Sequence, residues 1–460
     1  MKTHAVILAA GQGTRMKSAL PKVLHRVGGT PMLGHVLAAA EAAEVGACHV
    51  VLGHGAAQVQ EWLQSDAGAV GKNVDMVLQE QQLGTAHAVQ QAMPLVPDSA
   101  LVLVLYGDVP LVSADIIRRL AAAAKDGMAV VTAQVPDPTG YGRIVRDAKG
   151  RFTGIVEEKD ATPQQRAITE INTGLMAAQA RRLKRWLSHV KNNNAKGEYY
   201  LTDVVALAVK DGIEVQSVAV ANNGEVEGIN DRAQLAQAER RLQQAQVERL
   251  LRDGLHLADP ARFDLRGSLN FGRDVFIDVG CVLEGKIELG DNVSIGPYCV
   301  LRNVKLDAGT RVDAHSVLDS AEAGKDCRIG PFARLRPGAQ LGDQVHIGNF
   351  VEIKKSTLGE GTKANHLAYV GDATVGARVN IGAGVITCNY DGANKHATII
   401  GDDAFIGTDS QLVAPLIVGR GAYIAAGSTI AKDAPEDALT VCRAREQKSF
   451  PGWKKPAKKR

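Results

Sequence analysis

The residues that invite chemistry begin at Leu8. The run LAAGQGTRM, Leu8–Met16, sets Gly11 and Gly13 directly after a short apolar stretch. A glycine-rich turn at the end of a first strand is where backbone N–H groups cradle phosphate. The spacing fits neither of two familiar patterns. The P-loop needs Gly-Lys followed by Ser or Thr, and the dinucleotide fingerprint needs a third glycine where Met16 stands. Charge strengthens the phosphate reading. No Asp or Glu precedes Glu41, yet Lys2, Arg15, Lys17, Lys22 and Arg26 all do. Further on, the apolar run SALVLVLYGD ends in Gly107-Asp108. A carboxylate at a strand end, opposite a polyphosphate loop, is placed to hold Mg²⁺, which takes one or two carboxylates plus substrate phosphates.

The cysteines point away from metal chemistry. Cys48, Cys281, Cys299, Cys327, Cys388 and Cys442 are scattered, and even the nearest two, Cys281 and Cys299, are far apart in the chain. That excludes the short Cys-x-x-Cys spacing of zinc and redox sites. Scattered thiols with no secretory leader read as reduced and mostly buried, as in a cytoplasmic protein.

Two kinds of element must position these residues. In residues 1–230, the apolar runs Ala5–Leu8, His49–Leu52, Val74–Leu78 and Ala100–Tyr106 alternate with helical stretches such as Met32–Val45 and Thr85–Met93. Strand and helix alternating at this spacing predict a mostly parallel, Rossmann-like sheet with helices on both faces. Residues 231–253 contain no Gly or Pro and are rich in helix formers. They predict a linking helix over 231–254, capped by Asn230 or Asp231 and stopped by Gly254.

Residues 255–460 are written in period six. Ile277, Leu283, Leu289, Ile295 and Leu301 are each six apart. So are Ile329, Leu335, Leu341, Ile347 and Ile353, and again Ile400 through Ile430. This is the hexapeptide repeat of a parallel β-helix, left-handed in its fold class, in which each side of a coil turns one aliphatic inward. The phase slips at 301–306, 318–329, 353–358 and 387–400. The last gap, Thr387–Thr398, is polar and predicts a loop thrown out of the solenoid.

Composition closes off other classes. Charged residues are 22% and hydrophobic residues 45% of the 460, an ordinary globular balance. The longest apolar run is Ala100–Tyr106, where a membrane span needs about 20 residues. The tail Lys454–Arg460 holds five positive charges, more than the whole net charge of +3. The rest of the chain is slightly acidic, so no nucleic-acid-binding face is expected.

Several stretches carry a resemblance. LAAGQGTRM, PKVL with Lys22, QLGTAHA, LYGDVPL, TGYGRI, VEEKDA, EINTG, GEYYLTD and EVEGIN are similar to motifs of the sugar-1-phosphate nucleotidyltransferase family. Joined to the hexapeptide β-helix, the whole chain from about Val6 to Arg443 resembles a family of bifunctional bacterial uridyl- and acetyltransferases. That resemblance implies a bifunctional enzyme of UDP-N-acetylglucosamine biosynthesis. It would acetylate glucosamine-1-phosphate with acetyl-CoA, then transfer UMP from UTP to N-acetylglucosamine-1-phosphate. The alternative is a single-activity nucleotidyltransferase whose β-helix is structural or regulatory.

On that resemblance Leu8, Ala9, Ala10, Gly11 and Gln79 bind uracil and ribose, and Gly84 and Thr85 complete the base pocket. Tyr106 and Gly107 line it. Arg15 and Lys22 neutralise the triphosphate, and Asp108 and Asn230 hold Mg²⁺. Gly142, Glu157 and Asn172 hold the acetamido sugar.

Polar insertions break the solenoid at GPFARLRPGA, VEIKKS, KANHLAYVGDA, NIGAGVITCNYDG and GTDSQLVAP. A pure scaffold has no use for so many polar residues on successive coils. Amine acetylation needs a base to take the ammonium proton. Spacing alone does not choose among His315, His346, His366 and His396. The resemblance selects His366 as base, and histidine as a residue type titrates near neutral pH. It also implies that Arg336 and Lys354 grip the sugar phosphate and that Tyr369 and Asn380 hold the sugar. Ala383, Asn389, Tyr390, Thr408, Ala426 and Arg443 would contact acetyl-CoA. Thr408 stands where the family usually has Ser, and keeps the hydroxyl. Enzymes with this β-helix form trimers, so a homotrimer is expected.

Overall fold

The computed structural model describes residues 2–66 and 73–443. The basic run Lys454–Arg460 lies outside the described residues. The chain divides into two compact units, Met1–Leu242 and Gln243–Arg460.

In the first unit the apolar runs of the sequence are strands. Their spatial order is Val215–Ala219, Met128–Gln134, Glu170–Gln179, Leu101–Tyr106, Thr3–Ala9, Ala47–Leu52 and Val74–Leu78. Neighbours pair in parallel, except that Glu170–Gln179 runs antiparallel to both of its neighbours. The period-two alternation sorts side chains onto two faces. Ala5, Ile7 and Ala9 join one core cluster, and Val6, Leu8 and Ala10 join the other. Helices Met32–Ala42 and Ala114–Ala123 cover the first face; Thr85–Ala92, Ala180–Leu187 and Asp203–Lys210 cover the second. The first strand lies between two strands that both follow it in sequence. Crossovers therefore leave in opposite directions and open a crevice beyond the carboxyl ends.

The predicted linking helix is Arg232–Arg252. Asp231 Oδ1 accepts from Gln234 N at 2.9 Å, the N-cap bond, and Gly254 follows the helix at φ 102°. The helix is shared by two cores rather than standing free. Ala238, Leu235 and Leu242 pack with Val27, Met32 and Ile229 in the first unit. Val247 and Leu250 belong to the solenoid core of the second, and the Gln243 side chain holds both the N–H and the C=O of Leu265, at 2.8 and 2.9 Å.

The second unit is a parallel β-helix. Short strands stack in three columns. One is an 11-stranded sheet, and the other two are arms of a 16-stranded sheet that fork where Val300–Leu306 pairs with both Val317–Asp319 and Glu322–Ala323. Ile277 pairs with Ile295, then Val312, Ile329, Ile347, Ala364, Ile381, Ile406 and Ile424 follow coil by coil, each almost fully buried. Ile277 and Ile295 are three sixes apart, a full coil, whereas Ile295 and Val312 fall one short of that. A short coil loses a single position from one of its three sides, which is why the period slips without the solenoid breaking. Between Ile381 and Ile406 the longer step accommodates the polar loop that the sequence predicts, between strands Ile386–Cys388 and Thr398–Ile400.

Candidate active sites

The crevice of the first unit is a cavity of about 280 Å³. Leu8, Ala9, Ala10 and Gly11 line it from the end of the first strand, and Tyr106 and Asp108 from the end of the neighbouring strand. Gln79, Gln82, Gly84, Thr85 and Ala88 close it from the strand–helix connection that follows Val74–Leu78, with Lys22, Val23 and Glu198 completing the wall. Gly84 needs to be glycine. Its φ is 120°, and a Cβ there would meet the Tyr199 carbonyl oxygen at 2.5 Å. Thr85 Oγ1 accepts from Leu201 N at 3.0 Å, which brings the Glu198 segment to the cavity. Gly107 lies beside the wall, its N–H donating to Leu8 O at 2.9 Å.

The Lys22 ammonium bonds the Asp108 carboxylate and also donates to Asn230 Oδ1 at 3.2 Å. Lys22 and Asn230, far apart in the chain, meet here because Ile229 N donates to Asp108 O at 2.9 Å. Both side chains of the ion pair are mostly buried, 13% and 17% exposed. Asp108 and Asn230 thus offer two hard oxygens to one cation, the donor chemistry of Mg²⁺. Among the described residues no cluster of three or more His, Cys, Asp or Glu side chains could hold a metal alone. The pair fits an ion whose remaining ligands are phosphates.

A second group sits beyond Tyr106. Gly142 pairs with Asn172, and a Cβ on Gly142 would stand 3.5 Å from Glu157 Oε1. Glu157 Oε1 accepts from Thr202 Oγ1 at 3.1 Å. Burial, then the charges of Asp108 and Glu157, push the Tyr106 phenol far up. Tyr106 is thus close enough to both carboxylates to feel their charge. Arg15 is exposed on the turn Thr14–Met16 and does not line the cavity.

On the solenoid, residues scattered through the sequence form one column. Leu367 N donates to Asn349 O, Gly384 N to His366 O, Asp409 N to Ala383 O and Gly427 N to Thr408 O, and Arg443 Nε reaches Ala426 O at 2.8 Å. Asn349, His366, Ala383, Thr408, Ala426 and Arg443 therefore follow one another on six successive coils. His366 Nδ1 lies 2.9 Å from Asn349 Oδ1. Asn380 sits outward on the strand that pairs with Lys363–His366.

The proposed sugar-phosphate residues gather on an adjoining face. Arg336 Nη1 donates to Glu352 Oε1 at 2.8 Å, and Glu352 pairs with Tyr369 on the next coil. Lys354 Nζ donates to Asp372 Oδ2 at 3.2 Å, and Asn389 Nδ2 donates to the same oxygen and, at 3.4 Å, to the Tyr369 hydroxyl. Burial opposes ionisation of Asp372, but these bonds and the lysine charges hold its carboxyl below the usual range. Lys355 also lies 3.9 Å from Asp372, and Lys354 holds the Lys395 ammonium below its ordinary pKa. Several lysines crowd one carboxylate, an imbalance that an anion relieves. A cavity of about 400 Å³ adjoins Asp372, Lys355, Lys395 and His396, but His366 and Lys354 do not line it. Tyr390 is exposed in the loop, its hydroxyl donating to Gly392 O at 2.7 Å.

Sequence reasoning passes over Gln82, Glu198, Asn349, Glu352, Asp372 and Lys395. All but Asn349 and Lys395 fall inside stretches quoted above. For Asn349 the available signal is its place one coil before His366.

Residues 5–185 match the MobA-like NTP transferase domain, and residues 270–303, 324–355 and 397–432 match the bacterial transferase hexapeptide (six repeats), the repeat of a left-handed β-helix. A "Bifunctional protein GlmU" of Alkalilimnicola ehrlichii is 58% identical over 454 residues, 99% of this chain and 96% of the relative. Proteins of the same name from Aromatoleum aromaticum and Bordetella petrii are 55% and 58% identical, each match covering 99% of both chains. The chain belongs to the bifunctional GlmU family. Like its GlmU relatives it is an enzyme with two transferase activities, a UDP-N-acetylglucosamine pyrophosphorylase and a glucosamine-1-phosphate N-acetyltransferase. A merely structural β-helix is not favoured. GlmU membership also brings a divalent metal, UTP and acetyl-CoA to the reaction. Among the described residues no helix is long and apolar enough to cross a membrane.

Proposed function

We propose the following division of labour for the two activities. In the first unit Leu8–Gly11, Gln79, Gly84, Thr85, Tyr106 and Gly107 hold the uridine nucleotide, and Gly142, Glu157 and Asn172 hold N-acetylglucosamine-1-phosphate. The sugar-phosphate oxygen attacks the α-phosphorus of UTP, and the bond to pyrophosphate breaks. Both reactants are anions, so alignment and charge neutralisation carry the rate. Lys22 and Arg15 supply positive charge to the phosphates. Asp108 and Asn230 would hold the metal, Mg²⁺ in this reading, which neutralises phosphate charge when bound.

In the second unit Arg336 and Lys354 grip the phosphate of glucosamine-1-phosphate, and Tyr369 and Asn380 hold its sugar. His366 takes the proton from the amine, which then attacks the thioester carbonyl; the C–S bond breaks and CoA leaves as the thiol, taking the proton from His366. Ala383, Asn389, Tyr390, Thr408, Ala426 and Arg443 hold acetyl-CoA. The observation that carries this reading is the column from His366 to Arg443. An extended thioester lying along it ends beside the base.

The active form in this reading is a cytoplasmic homotrimer. Free thiols throughout the chain support the reducing compartment. An exposed stripe of stacked rings, Tyr298, His315, Phe332 and Phe350, with centroids 5.3, 5.0 and 5.4 Å apart, supports association. Two assays on one preparation test the function. They are acetyl-CoA turnover with glucosamine-1-phosphate, and pyrophosphate release from UTP with N-acetylglucosamine-1-phosphate. Absence of the first with the second intact returns the β-helix to a structural role.

A further inference from the structure

We propose that Asn349 is a positioning residue for acetyl transfer: its side-chain oxygen holds the Nδ1–H of His366 and leaves Nε2 as the proton-accepting nitrogen. This rests on the reading of His366 as the base.

A neutral imidazole carries one proton, and which nitrogen holds it decides which can act as base. An amide oxygen has no proton to give. The 2.9 Å approach of Asn349 Oδ1 to His366 Nδ1 is therefore a hydrogen bond only when Nδ1 is the donor. Nε2 then has a free lone pair.

The solenoid fixes this pairing. Asn349 ends the strand His346–Asn349, His366 ends Lys363–His366, and the two are register partners on adjacent coils. Leu367 N donates to Asn349 O at 3.1 Å, and Gly384 N donates to His366 O at 3.4 Å. The backbone of both residues is thus held in the ladder while their side chains meet outside it. His366 is exposed and Asn349 half-buried, so the partner is sheltered and the ring edge remains open to substrate.

The acceptor is neutral, which matters chemically. A carboxylate at this position would set the same tautomer but would also stabilise the imidazolium. An amide orients the ring without adding charge. At the neighbouring His346, burial and then the charges of Arg328 and Lys363 oppose protonation, Asp313 favours it, and a charged His366 opposes it.

Three variants test the assignment against the full-length enzyme. Asn349→Ala removes the acceptor and frees the tautomer. Acetyl transfer should fall about tenfold in kcat, less than the roughly 10²–10⁴-fold of losing a general base because the imidazole itself remains, with KM for both substrates nearly unchanged. Asn349→Asp restores the acceptor and adds charge. Much of the rate should return, with the acidic limb of the acetyl-transfer pH profile moved up by about one unit. Uridyl transfer should be unchanged in both, since its site lies in the first unit, and an unchanged KM for glucosamine-1-phosphate and acetyl-CoA reports an intact β-helix. ¹⁵N shifts of the His366 ring, assigned by difference from His366→Ala, should show Nδ1 protonated in the wild type and a mixture in Asn349→Ala. An Asn349→Ala enzyme with wild-type kcat and an unmoved ring spectrum overturns the proposal. So does an Asn349→Asp profile that does not shift. The ring spectrum separates this from failure of the base assignment. If His366→Ala keeps acetyl transfer, the base reading fails, while the spectrum still reports whether Asn349 sets the tautomer.

Discussion

Lys22 and Asp108 form an ion pair inside the cavity of the first unit, and the same ammonium reaches Asn230. The cation of this chain thus occupies the space between the two oxygens assigned to the metal. A metal and Lys22 cannot both hold that position. Lys22→Met should therefore strengthen Mg²⁺ binding in the absence of nucleotide, by several-fold, because Asp108 is left without its partner. Uridyl transfer should fall about 10²-fold as phosphate neutralisation is lost. Calorimetric titration of Mg²⁺ checks the first outcome, and unchanged affinity would separate Lys22 from the metal position.

Asp108→Asn should act in the opposite direction. The variant keeps the shape of the cavity and loses the charge. Mg²⁺ affinity and uridyl transfer should both drop, by roughly 10²-fold in rate, and acetyl transfer should stay at the wild-type level. Titrating activity against Mg²⁺ concentration reads the effect directly.

His366→Ala should lower acetyl transfer by about 10²–10⁴-fold. Higher pH should partly rescue it as free amine accumulates. Uridyl transfer from supplied N-acetylglucosamine-1-phosphate should be normal. Wild-type acetylation in this variant would move the base to another histidine, His346 first.

Asp372 bonds Lys354 and Asn389 at one oxygen, so it fixes together a residue proposed for the sugar phosphate and one proposed for acetyl-CoA. Asp372→Ala should raise KM for both acetyl-transfer substrates about tenfold, an order of magnitude typical of losing a buried charge partner. An effect on kcat alone would mean that Asp372 does not position these two groups.

The first unit should lose stability in mild acid. His4 Nδ1 lies 3.0 Å from His49 Nε2, and His49 lies 3.0 Å from Asp75. Burial is the largest cause that pushes both histidines below their ordinary pKa, with mutual repulsion and Lys2 adding to it at His4 and Asp75 opposing it at both. The folded protein therefore binds these protons less readily than the unfolded chain. Stability is complete above the unfolded value, about 6.5, and declines as pH falls through the lower folded values. The midpoint for thermal loss of uridyl transfer should drop between about pH 7 and pH 5. The slope should flatten in His49→Gln, and an equal slope in that variant would rule out the pair as its source.

Much of this molecule was legible in the sequence, and the reason is periodicity. Apolar runs specified strands, buried on both faces inside the sheet though not at the edge strand Val74–Leu78, and period six specified a solenoid, because each inward aliphatic stacks on its counterpart one coil away. The glycine turn, Lys22 and Asp108 suggested a phosphate site from residue type, charge and strand position, and Gly11, Lys22 and Asp108 do line one cavity. What the sequence did not reveal are partners brought together by stacking and crossover. Asn230 joins Lys22 only when the chain returns past Asp108, and the linking helix proves to be two halves of two cores. Asn349 meets His366, and Asp372 meets Lys354 and Asn389, only because each pair is separated by a single coil of the β-helix. Local spacing dictates the elements, since they answer to backbone geometry and burial over a short stretch of chain. The side chain that orients a base or holds a lysine is chosen by the register between elements, which only the folded chain determines.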